Sequence, residues 1–269
     1  MYGRLDTAEP GALLEVLDEQ SRDVRTLRGV AKVHFTFDAL PGQDEASFST
    51  SQAVLAAAPA AFRLDALSPF GVSYAAVSDG EQLAVLAPDE GTIYRGRASP
   101  ETVSSATGVE ASPADVARVL LGQPPMPPVD TRLAWVSSSH DGGDAAARPG
   151  GAGAEVFLHA PSSAVPGETV LVGFARAPVA DGVAVPVSFE RIDDQGRVLL
   201  RARFGEHRDV GGYAIPTRIE VTAPGSRVLL TYRDVEANPE IEAASFRLVT
   251  PTGMRDLPLR PRVVTNLGQ

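Results

Sequence analysis

Apolar and polar residues alternate along most of this chain in short runs broken by turn residues, and that period of two dictates strands. Over residues 30–37, Ala31, Val33, Phe35 and Phe37 share one side while Lys32, His34 and Thr36 share the other. The spacing predicts further strands over 47–57, 62–65, 72–77, 83–87, 155–159, 170–176, 185–192, 197–204, 214–221, 228–232 and 244–249. Pro41-Gly42, Ser78-Asp79-Gly80 and Asp193-Asp194-Gln195-Gly196 supply turns between neighbours. Short strands joined this tightly form an antiparallel meander.

Few segments have helical spacing. Pro10 suits a first helical turn, with Leu13, Leu14, Leu17 and Val24 on one face and Glu15, Asp18, Glu19, Arg22 and Asp23 on the other. Ser99-Pro100-Glu101 opens a short second helix. Ser112-Pro113-Ala114-Asp115 opens a third, with Val116, Val119 and Leu120 as its apolar face and Gly122 as its stop. Pro124-Pro125-Met126-Pro127-Pro128 then forms an extended connector.

So few helices cannot cover the crossovers of a parallel sheet. The expected fold is mainly β with a few helices (α+β): one curved antiparallel sheet with helices on its concave face. Such a face carries more apolar surface than short helices fill, so a greasy hollow is expected. One domain over 1–269 is expected, with an N-terminal tail at about 1–9 and a flexible loop at about 137–153, whose 140–153 stretch is rich in Gly, Ala and Asp.

Composition removes several functions. The formal net charge is −10, and no block of Lys or Arg offers a footprint for nucleic acid. Cysteine is absent, so neither disulfides nor thiolate chemistry arise. No apolar run approaches the roughly 18 residues of a membrane-spanning helix. His34, His140, His159 and His207 are scattered without metal-ligand spacing. Gly71-Val72-Ser73-Tyr74-Ala75 lacks the last Gly of a nucleophile elbow, and Asp193-Asp194 reads as a turn. No catalytic constellation, metal site or cofactor site emerges, and the chain reads as a non-enzyme.

Phe62-Arg63-Leu64-Asp65-Ala66-Leu67-Ser68-Pro69-Phe70-Gly71, followed by the helix ending Leu121-Gly122-Gln123-Pro124, resembles the lipoprotein localisation factors LolA and LolB. The likeness is closer to LolB, the outer-membrane receptor. Ile215-Pro216-Thr217-Arg218-Ile219-Glu220 and the stretch from Leu229 to Asn238 resemble that family's closing strands. The resemblance implies an unclosed β-barrel with a helical lid over an apolar cavity that accepts lipoprotein acyl chains. It also implies a monomer at the periplasmic side of the outer membrane, lipid-anchored or soluble, with peripheral contact to the inner leaflet. The segment from Trp135 to Arg176 is expanded relative to the family pattern.

Phe35, Phe37, Phe62, Leu64, Tyr74, Leu83, Val85, Val187, Phe189, Leu200, Phe204, Leu230 and Tyr232 are the candidates for the apolar cavity. Strand parity does not say which of them face open space and which are packed core. Val116, Val119 and Leu120 form the candidate lid, movable or permanently docked. Phe70 is the candidate membrane-insertion residue, the alternative being a Phe tucked under its own turn. Arg63 either latches the lid, as a strand Arg does in LolA-type carriers, or pairs with Asp65 or Glu101. The competing function is an envelope sensor or structural partner that uses the same fold to bind protein.

Overall fold

A computed structural model describes residues 9–38, 46–107, 109–138, 154–177 and 183–260. Helix α1 (Pro10–Asp23) places Pro10 at its first turn and buries Leu13, Val16 and Leu17. It leads into a six-strand meander: β1 (Thr26–Phe37), β2 (Ala46–Ala57), β3 (Ala61–Ser68), β4 (Gly71–Ser78), β5 (Gln82–Ala87) and β6 (Thr92–Arg97). Helices α2 (Pro100–Thr107) and α3 (Pro113–Leu120) follow. A second meander then runs through β7 (Trp135–Ser138), β8 (Val156–Pro161), β9 (Thr169–Arg176), β10 (Ala184–Ile192), β11 (Val198–Val210), β12 (Tyr213–Ala223) and β13 (Ser226–Ala237). The short strand β14 (Arg255–Pro258) ends the described chain.

All these strands form a single 14-stranded sheet, ordered β14-β6-β5-β4-β3-β2-β1-β13-β12-β11-β10-β9-β8-β7. The two meanders join where β1 pairs antiparallel with β13, from Leu27 opposite Ala237 to Phe37 opposite Ser226. The outer strands β14 and β7 are not paired to each other, so the barrel is unclosed. This order fixes the place of the helices. β6 and β7 lie towards opposite ends of the sheet, so the chain between them must travel back across one face. α2, α3 and the proline connector are that crossing.

α3 meets strands from both meanders, which requires a curved sheet. Six flat strands would span about 24 Å at roughly 4.8 Å each, whereas a helix of eight residues is about 12 Å long. Phe62, Leu83, Phe174 and Phe189 are fully buried in one core cluster that also takes in Leu13 of α1, Val103 of α2 and Leu120 of α3.

Three strands and one turn differ from expectation. β6, β7 and β14 carry no strong alternation, and β7 takes residues 137 and 138 out of the predicted loop. The rest of that loop lies outside the described residues. The strand expected over 244–249 is instead a 3-10 turn, Ala243–Phe246. Here one buried side chain, Phe246, anchors the segment, while Val249 is 85% exposed, so no alternating face is buried. The Arg63 and Arg95 guanidinium groups donate to the Ser245 and Leu248 carbonyls and hold this C-terminal segment across the sheet. β14 then pairs parallel with β6 and covers that edge.

Candidate functional site

Between α3 and the sheet lies an apolar cleft. Its floor comes from Val33 and Phe35 of β1, Gln52 of β2, Leu64 of β3, Leu200 of β11, Ile219 and Val221 of β12, and Val228 and Leu230 of β13. Its roof comes from Thr107, Val109, Ala111, Asp115, Val116, Val119 and Leu120. The open space inside is about 90 Å³, below the roughly 300–1,000 Å³ of a formed ligand pocket. The hollow expected from the sequence is thus largely occupied by α3 and the chain that precedes it.

The structure brings together Phe35, Leu64, Leu200 and Leu230 with Val116, Val119 and Leu120 of α3 around this space. Phe62, Leu83, Val85, Phe189 and Phe204 are buried in the surrounding core. Val187 packs elsewhere, in a small cluster with Ala154, Phe157 and Leu171. Tyr74 and Tyr232 hold the roof: the Tyr74 hydroxyl donates to the Ala106 carbonyl at 2.7 Å and the Tyr232 hydroxyl to the Leu120 carbonyl at 2.9 Å. Complete burial pushes the Tyr232 pKa upward, keeping its proton in place to donate. Gln52, Val109 and Ala111 also line the cleft, although no periodicity in the sequence singles them out. Val33, in contrast, shares the periodic face of Phe35 and was open to detection from strand parity.

The two ends of α3 are held differently. At its start, the Ser112 hydroxyl accepts from the Asp115 N–H at 3.1 Å, and Asp115 accepts from the Ser112 N–H at 3.0 Å. Asp115 also faces Arg191 of β10 at 4.0 Å, and Arg191 lies 3.9 Å from Glu168. At its end, Gln123 donates to the Val24 carbonyl at 2.8 Å and to the Gln20 carbonyl at 3.2 Å, tying the exit of α3 to α1. Gly122 has φ +75°, and a Cβ there would lie 2.5 Å from Pro216 Cδ. The start is held by a loose ion pair, the end by close packing and buried hydrogen bonds.

Arg63 points away from this roof. It donates to Asp65 at 2.7 Å and to the Ser245 carbonyl at 3.1 Å. The strand arginine that reaches α3 is Arg191.

An apolar rim continues from one end of the cleft. Phe48 lies opposite Phe35 across the β1–β2 pair, their rings stacked with centroids 4.8 Å apart, and Phe37 stacks on both. The β3–β4 turn is at the same end of the sheet, because β1 and β3 run in the same direction. At its tip Phe70 is fully exposed, flanked by partly exposed Leu67 and Val72. The Ser68 hydroxyl fixes the turn, accepting from the Phe70 N–H at 3.2 Å and donating to the Gly71 carbonyl at 2.9 Å. Among the described residues, no group of three or more acidic or histidine side chains is placed to hold a metal ion. No described helix is long and apolar enough to cross a membrane.

This architecture is similar to that of a LolA superfamily protein from Nitrosomonas europaea, with a TM-score of 0.54 over 90% of this chain and 99% of that one, at 16% identity. The chain has the LolA fold. A DUF1329 family protein from Desulfovibrio piger superposes on the same LolA-like architecture with a TM-score of 0.54, covering 89% of this chain and 98% of the other at 12% identity. No protein-family profile matches the chain, and no curated protein sequence does. The LolA likeness is therefore one of backbone architecture at low identity, and it extends along nearly the whole chain.

Proposed function

We propose that this protein binds lipid or lipoprotein acyl chains beneath α3 and serves in the transfer of lipoproteins to the outer membrane of a bacterial envelope. The observation that carries this reading is the cleft itself, whose lining is apolar except for Gln52, Thr107 and Asp115. Each methylene moved from water into such a lining contributes about 0.8 kcal/mol, so a few acyl chains supply ample driving force without directed chemistry.

The cleft is too small for an acyl chain while α3 stays docked. Loading therefore requires α3 to swing outward about its fixed end at Leu120–Gly122, with the Asp115–Arg191 pair as the contact that parts. The strand face left behind would then receive the chains. Phe70, projecting from the same end of the sheet as the aromatic rim, would contact the inner leaflet of the outer membrane, as in a LolB-type receptor. Neither step needs a cofactor.

Organic extraction of protein purified gently from envelope membranes tests this reading. Mass spectrometry should find bound acyl lipid or lipoprotein, and Phe70→Glu should retain it yet fail to deliver it to liposomes. A lipid-free extract would favour the sensor or structural role, in which the filled interior is simply a core. Undiminished delivery by the Phe70 variant would remove the membrane-contact role.

A further inference from the structure

Gln52 is out of place in its surroundings. It stands on β2 opposite Ala31 of β1, is only 5% exposed, and shares the cleft with Val33, Leu64 and Val116. Its carboxamide makes no hydrogen bond within the described residues. The other two polar side chains of the cleft are occupied. Asp115 accepts from the Ser112 N–H and faces Arg191, and Thr107 donates to the Val103 carbonyl at 2.9 Å.

A buried amide without a protein partner weakens a fold, and a leucine of similar size would avoid the penalty. The carboxamide is also open to the cleft rather than sealed into the core: none of its atoms is among the fully enclosed, unpaired ones. Its free donors and acceptor therefore meet whatever occupies the cleft. An alkyl chain offers no complement to them. An acyl carbonyl does, because its oxygen accepts one N–H while the chain beyond it packs against Leu64 and Val116.

Resting on the acyl-binding reading, we infer that the cleft selects acyl esters over bare hydrocarbon, with the Gln52 side-chain N–H donating to the ester carbonyl. Gln52 is then the specificity residue of the site. The apolar walls supply affinity, and the amide fixes the depth at which the ester group stops.

The test uses the intact protein with N-phenylnaphthylamine as a fluorescent occupant, displaced by methyl dodecanoate or by pentadecane, which has the same number of heavy atoms. Pentadecane is the more hydrophobic competitor, so the readout is the ratio of ester to alkane affinity, which should be about tenfold higher in the native protein than in Gln52→Leu, the size of one good hydrogen bond. Gln52→Leu should lose that gain for the ester and melt no lower than the native protein. The infrared carbonyl stretch of bound ester should sit at lower frequency in the native protein than in Gln52→Leu. The same ester-to-alkane ratio in the native protein and in Gln52→Leu, with both competitors displacing the dye, would overturn the inference while leaving the apolar site intact. Failure of both probes to displace the dye would overturn the binding reading beneath it.

Discussion

The His207 ring on β11 is buried, and desolvation lowers its pKa to about 4 despite a backbone hydrogen bond with Pro186 that works the other way. Its Nε2 has no hydrogen-bond partner among the described residues. The folded protein therefore holds this ring neutral while the unfolded chain protonates near pH 6.5, so stability is complete above that value and falls as pH drops towards 4. Between pH 7 and pH 5 the loss from this group is about 2 kcal/mol. Urea denaturation at the two pH values should show it, and His207→Gln should flatten the dependence. An unchanged slope in the variant would place the titration elsewhere. At this scale the sequence reveals periodic apolar residues well: Phe35, Leu64, Leu200 and Leu230 come from strands whose parity is plain. Gln52 stays hidden because a lone polar residue in an alternating strand reads as outward-facing. Arg63 and Arg191 are both strand arginines, and only the fold tells which one reaches α3.

α3 is the element on which the account turns. Its start was legible from Ser112-Pro113-Ala114-Asp115, and both capping hydrogen bonds are present. Its stop at Gly122 was legible too, although the reason was not. The left-handed conformation favours glycine, and Pro216, distant in sequence, leaves no room for a Cβ. Gly122→Ala should therefore cost about 1–3 kcal/mol, seen as a clear drop in Tm. An unchanged Tm would mean that the exit of α3 is not the rigid end from which it swings. The outermost strands β14 and β7, and β6 beside β14, were not legible, since they are short and gain their order from neighbours already in place. The 3-10 turn Ala243–Phe246 was misread for a related reason: tertiary anchoring by Phe246 and Arg63 outweighs local strand preference.

For the whole molecule, strand order explains both the shape and the site. Two meanders fused along β1 and β13 make one long sheet, and the crossing from β6 to β7 must lie over its inner face. The sequence therefore conveys the class of fold and the presence of a helical cover. It does not convey how completely that cover fills the hollow, because filling depends on how six strands curve around one helix. The central claim is that this filled state opens to take acyl chains. Native mass spectrometry of the protein incubated with a triacylated lipopeptide tests it directly. A one-to-one complex is predicted for the native protein, and none for a correctly folded Val228→Trp variant whose indole occupies the strand face that α3 leaves behind. Absence of any complex, or a complex equally abundant in the tryptophan variant, would contradict the account.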